Sequence, residues 1–295
     1  MMTTRSPLTS THRLDRATTW KLRTRNLQLG YRPLLMGIVN VTPDSFSDGG
    51  DFIQPERAIE HALHLVTMGA DILDIGGEST RPYCNPVGAQ EELDRVLPVV
   101  TSLSGQVPIP LSIDTSKATV ARACLEQGVE IINDVTGLEG DPQMVDLAAA
   151  TGAGVCVMHM QGTPQTMQEN PDYSDVVKDV YRYLHERCNV LTAAGVELEK
   201  ICLDPGIGFG KTHEHNLSLL SHCYRFHELG SPLLVGHSRK GFIAKILGDQ
   251  QADRTAASIG VALALANQGV QIIRVHDVAA VRQALRLYDA CSPAP

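Results

Sequence analysis

Eight short apolar runs, each followed by an amphipathic stretch, constrain the fold of this chain more than any other feature of its sequence. The runs have the length of buried strands, and the stretches between them carry apolar residues at helical spacing. The predicted strands are 34–40, 71–75, 110–114, 130–133, 154–159, 200–204, 232–236 and 270–275. The predicted helices are 55–68, 89–103, 116–127, 141–150, 173–194, 213–228, 254–268 and 277–289. Because strands that alternate with helices form a parallel sheet with helical crossovers, we predict an α/β fold.

Eight strand–helix units favour closure of the sheet into a (β/α)8 TIM barrel, which takes about 250 residues. An open, doubly wound sheet is the alternative. We assign residues 30–290 to the barrel, residues 1–29 to a partly flexible N-terminal extension and residues 291–295 to a tail. In a TIM barrel the loops after the carboxyl ends of the strands build the active site. The strand boundaries therefore define where a site is expected.

Charge and cysteine usage narrow the classes of partner and compartment. A net charge of −8 argues against a nucleic-acid partner, which would require a basic face. The seven cysteines form no CxxC pair, so neither a disulfide framework nor a structural zinc site is indicated, and we expect a cytoplasmic protein. No run of about 20 apolar residues occurs, so no membrane partner is expected. Residues 1–16 resemble a transit peptide in composition but lack a clear apolar face, and we interpret them as a tail.

Polar or charged residues directly follow almost every predicted strand. In chain order these are Asn40, Gly76-Gly77-Glu78, Asp114, Asn133, His159, Asp204, Ser238-Arg239-Lys240 and Arg274-Val275-His276. Turn formation alone would favour Gly, Asn, Asp and Ser at such positions. The presence of Arg, Lys and His indicates instead that these side chains converge on one pocket.

The cations among these residues follow the last two strands. Arg274 and His276 are two residues apart, so they share one face of their strand, and Lys240 follows the preceding strand. Barrels often bind phosphate at these two loops, and Arg suits a bidentate contact with phosphate oxygens. We predict a phosphate or pyrophosphate site here, with surface salt bridges as the alternative.

Two isolated acids, Asp114 and Asp204, end the third and sixth strands. A buried carboxylate is costly unless it accepts hydrogen bonds. The amino-pyrimidinone edge of a heterocycle presents two adjacent N–H donors to one carboxylate, and Asn133 can add a donor and an acceptor. The alternative for each aspartate is an ordinary helix N-cap.

The segment 203–212 imitates two nucleotide-binding motifs without satisfying either. A phosphate loop of the form GxxxxGK[ST] needs glycine where the chain has Pro205, and the glycine spacing falls short of the dinucleotide fingerprint. We expect the glycines to let the backbone and Phe209 approach a flat ligand. The histidines form no HExxH motif, so catalytic zinc is not indicated.

The loops 40–50 and 76–82 are rich in Gly, Pro, Ser and Thr. Long loops of this composition in compact domains are often lids. Phe46 and Arg81 are unusual residues for loops without a function.

These segments together resemble the dihydropteroate synthase family. The matching strings, in the family's order, are GIVNVTPDSFSDGG, GGESTRP, SIDTSK, INDV, VMHMQG, LDPGIGFGK, SRK and RVHDV. They cover about residues 30 to 290, and each lies at a predicted strand end. A single string such as RVHDV is weak evidence, but eight strings in register are highly specific.

The resemblance implies an enzyme of folate biosynthesis, a transferase that joins 6-hydroxymethyl-7,8-dihydropterin pyrophosphate to p-aminobenzoate and releases pyrophosphate. It also implies a homodimer and a Mg²⁺ cofactor that the pyrophosphate and Asn40 hold. The implied catalytic residues are Asp114, Lys240 and Arg81. The implied pterin-binding residues are Asp114, Asn133, Met158, Asp204, Gly208, Phe209 and Lys240. The implied pyrophosphate-binding residues are Asn40, Arg274 and His276. The implied p-aminobenzoate-binding residues are Phe46, Thr80, Arg81, Pro82 and Ser238.

The residues agree with that chemistry. Loss of pyrophosphate leaves a cation on the pterin methylene, which a carboxylate such as Asp114 can stabilise. The arylamine then attacks, so no protein nucleophile is needed and a dissociative substitution is expected. His237, which precedes the SRK string, departs from the small or apolar residue expected there. The alternatives are a pterin-dependent methyltransferase barrel, a non-catalytic pterin-binding paralogue and, less favoured, a phosphate-handling aldolase or isomerase.

Overall fold

The computed structural model describes residues 16–42, 55–80 and 83–292. The predicted tail 1–16, apart from residue 16, lies outside these residues, as does the predicted C-terminal tail beyond residue 292. Three of the predicted site residues, Phe46, Arg81 and Pro82, also lie outside them.

The described residues form a hairpin and a closed barrel of alternating strands and helices. The strands are β1 (Thr19–Lys21), β2 (Asn26–Gln28), β3 (Leu34–Asn40), β4 (Ile72–Gly76), β5 (Leu111–Asp114), β6 (Ile131–Asp134), β7 (Gly154–Met158), β8 (Ile201–Asp204), β9 (Leu234–Gly236) and β10 (Ile272–Val275). The helices are α1 (Pro55–Thr67), α2 (Ala89–Leu103), α3 (Ala118–Glu126), α4 (Met144–Thr151), α5 (Val176–Ala193), α6 (His213–Ser221), α7 (Gly241–Leu247), α8 (Thr255–Asn267) and α9 (Val278–Cys291).

Strands β3 to β10 pair in parallel in the order β8-β7-β6-β5-β4-β3-β10-β9. A parallel bridge between Leu203 of β8 and Leu233, which directly precedes β9, joins the two edges of this sheet. The predicted TIM barrel is therefore confirmed, and the open, doubly wound sheet is wrong. All eight predicted barrel strands agree with the observed strands to within two residues at either end.

The helix boundaries follow local sequence signals. Pro55 opens α1, where its missing N–H removes no hydrogen bond, and Gly69 follows the helix with a φ of +95°. The predicted helix 213–228 is too long, because His222 leaves the helical region and the chain continues as a 3₁₀ segment over Cys223–Leu229. The short helix α7 and the hairpin β1–β2 were not expected from the periodicity. No helix in the described part of the chain has the length and apolarity to cross a membrane.

The hairpin closes the amino-terminal end of the barrel. Trp20 is completely buried, and its Nε1 donates to the carbonyl of Lys200 at 2.9 Å. Trp20 and Leu22 share a hydrophobic cluster with the first residues of several barrel strands, among them Ile72 and Ile131. A larger cluster fills the layer between the barrel wall and its helices. Because the amino-terminal end is filled with apolar side chains, polar chemistry is confined to the opposite end.

Candidate active site

A cleft of about 1390 Å³ opens at the carboxyl ends of the barrel strands. Nine predicted site residues line it: Asn40, Thr80, Asp114, Gly208, Phe209, Ser238, Lys240, Arg274 and His276. Three more, Asn133, Met158 and Asp204, are almost completely buried at the ends of β6, β7 and β8. Of the twelve predicted site residues that the structure describes, nine therefore line one cleft, and the other three are buried at the carboxyl ends of neighbouring strands.

Arg274 of β10 lies between two carboxylates at the floor of this cleft. Its Nε donates to Oδ2 of Asp74 at 2.6 Å, and its Nη2 donates to Oδ2 of Asp114 at 2.7 Å. Although burial alone would lower the pKa of Arg274, the charges of Asp74 and Asp114 raise it. The guanidinium is thus a permanent cation whose orientation two acids fix.

Asp74, in the middle of β4, was missed by sequence reasoning. Its side chain is fully buried, and it also accepts hydrogen bonds from Ser112 Oγ at 2.6 Å and from Asn133 Nδ2 at 3.0 Å. Each of these three hydrogen bonds is donated to the Asp74 carboxylate, so its charge is stabilised although it is buried. The available signal is an acid within the otherwise apolar run ILDIG. A charge at such a position needs a buried partner.

Asp114 has an environment suited to a carboxylate that changes its charge near neutrality. Burial raises its pKa to about 7, against the lowering effect of Arg274, and Asp74 adds a further upward contribution. Neither predicted strand-end acid acts as a side-chain helix cap at the helix that follows, because α3 has no side-chain cap and Thr212 caps α6. The N-cap alternative is therefore wrong for Asp114 and Asp204.

Lys240 and Phe209 form one wall of the cleft. The ammonium of Lys240 lies 4.6 Å from the centroid of the Phe209 ring and donates to the carbonyl of Ile207. Burial lowers the pKa of Lys240 to about 8, and the charge of Asp204 opposes this shift. Gly208 has a φ of +86°, and a Cβ there would lie 3.1 Å from Lys240 Cδ. The absence of a side chain at Gly208 thus keeps this wall flat.

Of the two residues that directly precede Lys240 after β9, Ser238 is buried and Arg239 is half exposed, and each contacts a residue that follows β10. His276 Nδ1 lies 3.1 Å from Ser238 Oγ. Arg239 pairs instead with Asp277 at 2.5 Å, and half of its side chain is exposed. The surface salt-bridge alternative is therefore wrong for Arg274, which pairs with the fully buried Asp74. Arg239, which was not among the predicted phosphate-binding residues, forms an exposed salt bridge.

His237 does not alter the polarity of the cleft. It is fully buried, and its Nε2 donates to the carbonyl of Ser258 in α8 at 2.8 Å. Burial lowers the pKa of His237 to about 4, so the ring is neutral at physiological pH. His237, which departs from the small or apolar residue expected before the SRK string, thus packs as a neutral side chain between β9 and α8.

Two further buried networks escaped sequence reasoning. Lys117 Nζ donates to Glu78 Oε2 and to Glu92 Oε2, both at 2.6 Å, and Glu92 is fully buried. Lys211 and His159 form a second network, with Nζ 3.0 Å from Nδ1. His159 is visible in the sequence as a polar strand end, but its partner is not, because the two residues are 52 positions apart.

Asn40 is the residue predicted to contact a metal. The described residues contain no group of three or more His, Cys, Asp or Glu side chains that could hold a metal ion. Asn40 ends β3 and lines the cleft. Mg²⁺ usually keeps several waters and takes one or two protein oxygens together with substrate phosphates. The amide oxygen of Asn40 is thus a ligand of the type that Mg²⁺ takes, and a phosphate-bearing substrate would have to supply further oxygens.

Comparison with known proteins gives consistent matches. A family model described as pterin binding enzyme matches residues 36–276. The dihydropteroate synthase of Escherichia coli (strain K12) is 47% identical over 258 residues, which cover 88% of this chain and 91% of that protein. The matched family segment contains every predicted site residue from Asn40 to His276.

Solved structures resemble the chain equally well. The dihydropteroate synthase of Xanthomonas albilineans with 4-aminobenzoic acid is 43% identical with a TM-score of 0.87, covering 95% of this chain and 100% of that one. The same organism's dihydropteroate synthase in complex with 7,8-dihydropteroate is 42% identical with a TM-score of 0.84, covering 94% and 100%. Both structures share the whole barrel with this chain.

Proposed function

The chain belongs to the family of pterin-binding enzymes, and we propose that it catalyses the dihydropteroate synthase reaction of folate biosynthesis. In this transferase reaction, 6-hydroxymethyl-7,8-dihydropterin pyrophosphate and p-aminobenzoate give 7,8-dihydropteroate and pyrophosphate. One observation carries the proposal. Arg274 lies fixed between Asp74 and Asp114 in a cleft that Lys240 and Phe209 also line. This arrangement suits a flat ring that bears an anionic leaving group.

The pterin ring binds to the buried acids and the flat wall. Asp204 Oδ1 already accepts the N–H of Gly206 at 2.7 Å, which leaves Oδ2 for the ligand. Asn133, Asp114 and Lys240 supply the other polar contacts, and a carboxylate can accept both N–H donors of an amino-pyrimidinone. Met158, Gly208 and Phe209 line the slot.

The pyrophosphate binds to Arg274, His276 and Asn40. Arg274 has five N–H donors, of which Asp74 and Asp114 engage two, so the remainder are available to phosphate oxygens. Because both acids hold the guanidinium in place, little side-chain entropy is lost when the anion binds. A magnesium ion held at Asn40 would neutralise the negative charge that develops on the pyrophosphate as it leaves.

The substitution breaks the bond between the pterin methylene carbon and the pyrophosphate oxygen, and the electron pair leaves with that oxygen. We propose a dissociative reaction in which Asp114, as the carboxylate, stabilises the cationic pterin. The nitrogen of p-aminobenzoate then forms the new C–N bond with its lone pair and loses one proton, which an oxygen of the departed pyrophosphate can accept. Lys240, beside the ring, and Arg81 are the other proposed catalytic residues.

The p-aminobenzoate site is proposed at Thr80 and Ser238, which line the cleft. Phe46, Arg81 and Pro82 complete this site in the proposal. The X. albilineans relative binds 4-aminobenzoic acid, which supports the same ligand class for this chain. Exclusion of water matters here, because water competes with the arylamine for the cationic pterin.

The decisive experiment is an assay with the dihydropterin pyrophosphate, p-aminobenzoate and Mg²⁺. Equal amounts of dihydropteroate and pyrophosphate are expected. Pyrophosphate without dihydropteroate would indicate hydrolysis, and binding without either product would favour a non-catalytic pterin-binding protein. Methyl transfer to an acceptor in place of pyrophosphate release would favour the methyltransferase alternative. Calorimetry with and without Mg²⁺ tests the metal, because only the pyrophosphate-bearing ligand should bind more tightly with it.

We also propose that the protein is a cytoplasmic homodimer. Ala256, Gly260 and Ala264 are exposed on one face of α8, at a spacing of four residues. Small residues at this spacing allow two helices to approach closely. Light scattering coupled to size-exclusion chromatography would test this, and a monomeric mass at micromolar concentration would contradict it.

A further inference from the structure

Lys211 is a buried lysine: burial lowers the pKa of its ammonium well below the ordinary value, and the charge of Asp204 opposes this shift. Its side chain is 2% exposed, and it forms no salt bridge with any acid in the described ranges. A buried ammonium is costly unless each of its N–H groups is hydrogen-bonded. Lys211 has no role in the proposed reaction, although it follows Phe209, a residue of the pterin slot, by only two positions.

Three acceptors surround the ammonium of Lys211. Its Nζ lies 2.8 Å from the carbonyl of Phe209, 3.2 Å from the carbonyl of His159 and 3.0 Å from His159 Nδ1. Three N–H groups therefore meet three acceptors, provided that His159 carries its proton on Nε2. Burial, with the nearby charge of Lys211, lowers the pKa of His159 to about 3, so a neutral accepting ring is expected.

His159 is itself held by aromatic rings. The ring of Tyr183 packs edge-on against it at 4.8 Å between centroids, and Tyr173 lies at 5.9 Å. Lys211 thus connects the end of β7, through a rigid histidine, to the backbone of Phe209. This connection is local to the wall of the pterin slot.

The segment from Gly206 to Gly210 has no regular secondary structure to hold it in place. Side chains fix it instead: Gln168 Nε2 donates to the carbonyl of Gly208 at 2.9 Å, and Tyr173 Oη donates to the carbonyl of Gly210 at 2.7 Å. The carbonyl of Phe209, between these two, is held by Lys211. A Cβ on Gly206 would lie 1.9 Å from the carbonyl oxygen of His159, so the segment packs directly on the residue that supports Lys211.

We propose that Lys211, seated on His159, is a positioning residue that fixes the backbone of Phe209 and so orients the aromatic wall of the pterin slot. This inference rests on the proposed function. Lys211 acts through Phe209, whose ring in turn faces the ammonium of Lys240. Removing Lys211 should therefore weaken pterin binding while leaving the p-aminobenzoate site, formed by other loops, nearly unchanged.

The test is a double-mutant cycle on pterin affinity. Lys211→Met removes the three donors and keeps the length of the side chain, and it should raise the Kd for 6-hydroxymethyl-7,8-dihydropterin by about tenfold, with KM for p-aminobenzoate changing by less than about twofold. If Lys211 acts through the ring, Lys211→Met in a Phe209→Ala background should add little further loss. Lys178→Met, at an exposed lysine of α5, is the matched control and should bind as the wild type does.

Full additivity of the Lys211 and Phe209 effects would overturn the proposal, as would a folded Lys211→Met protein with unchanged pterin affinity. If Lys211→Met does not fold, His159→Gln keeps the backbone carbonyl and removes only the imidazole, and it should weaken pterin binding in the same direction. An unchanged pterin Kd in folded His159→Gln would then refute the role. Failure of the wild-type protein to bind the pterin at all would instead refute the proposed function.

Discussion

Asp74 and Arg274 form a buried ion pair across the barrel, with Arg274 Nε donating to Asp74 Oδ2 at 2.6 Å. The acid is completely buried, whereas about a fifth of the arginine side chain reaches the cleft. The pair therefore places a cation at the surface of the site while its counter-charge remains in the barrel wall. The positive charge that an anionic leaving group needs is therefore already in position before the substrate binds.

Asp74→Asn should damage both stability and activity. Loss of the buried charge leaves Arg274 with one carboxylate and is expected to lower the free energy of unfolding by roughly 3 kcal/mol. We expect kcat/KM to fall by about tenfold or more, because the guanidinium loses one of its two anchors. Urea unfolding and steady-state kinetics measure the two effects.

The matched control for Asp74 is Asp71, which directly precedes β4 and pairs with Arg282 at 2.5 Å. Asp71 is partly exposed and does not line the cleft, so Asp71→Asn should cost about 1 kcal/mol of stability and leave kcat/KM within about twofold. Equal losses of activity in both variants would contradict a specific role for the buried pair.

Asp114→Asn tests stabilisation of the pterin cation. The amide keeps the shape of the side chain and removes its negative charge, so we expect kcat/KM to fall by about tenfold or more, which corresponds to about 1.4 kcal/mol of transition-state stabilisation. A loss smaller than about threefold would mean that the carboxylate has no such role.

The pH dependence of the wild-type enzyme should show the same group. Burial raises the pKa of Asp114 to about 7, so the carboxyl is neutral below this pH and ionised above it. Since the proposed active form is the carboxylate, kcat/KM should rise as the pH increases through about 7. The ratio of wild-type to Asp114→Asn activity removes the titration of the substrates, and a ratio that does not change with pH would refute the assignment.

Arg274→Ala separates phosphate binding from ring binding. We expect the affinity for the pyrophosphate-bearing pterin to fall by about tenfold more than the affinity for the bare hydroxymethyl pterin. Only the former ligand offers phosphate oxygens to Arg274. Arg274→Lys keeps a charge without the fork of the guanidinium and should give an intermediate loss. Equal losses for both ligands in calorimetry would rule out the phosphate assignment.

His237 should make the protein sensitive to acid. Burial lowers the pKa of His237 in the folded state to about 4, from the 6.5 of an ordinary histidine. The unfolded chain therefore binds a proton that the folded chain does not, and stability is lost as the pH falls from about 6.5 to about 4. His237→Gln keeps an N–H donor for Ser258 without a titrating ring. As the pH falls over this range, His237→Gln should therefore lose less stability than the wild type, by a difference on the order of 3 kcal/mol.

Urea unfolding at about pH 7 and about pH 4 measures this difference. The same replacement at His185, which is exposed on α5, is the control and should leave the acid-induced loss as it is in the wild type. An identical acid-induced loss in His237→Gln and in the wild type would show that the buried ring does not contribute.

Local sequence signals predict most of the barrel. Strand β3 and helix α2 match their predicted bounds because an apolar run and apolar residues at helical spacing are signals that act over a few residues. The hairpin β1–β2 has no comparable local signal, since each strand is only three residues long and its stability comes from burying Trp20 against the barrel. A short segment that is ordered by distant contacts is invisible to periodicity.

By itself the sequence determined the alternation of strands and helices, and with it the set of polar side chains at the carboxyl ends of the strands. Only the tertiary structure decided which of these side chains pair. Arg239 follows the apolar strand β9 and Arg274 lies near the end of the apolar strand β10, yet one pairs with Asp277 near the surface and the other with Asp74, 200 positions away. Closure of the barrel places β10 beside β3 and near β4, and that register is set by packing of the whole sheet. An ion pair that depends on such long-range packing cannot be read from the residues around either partner.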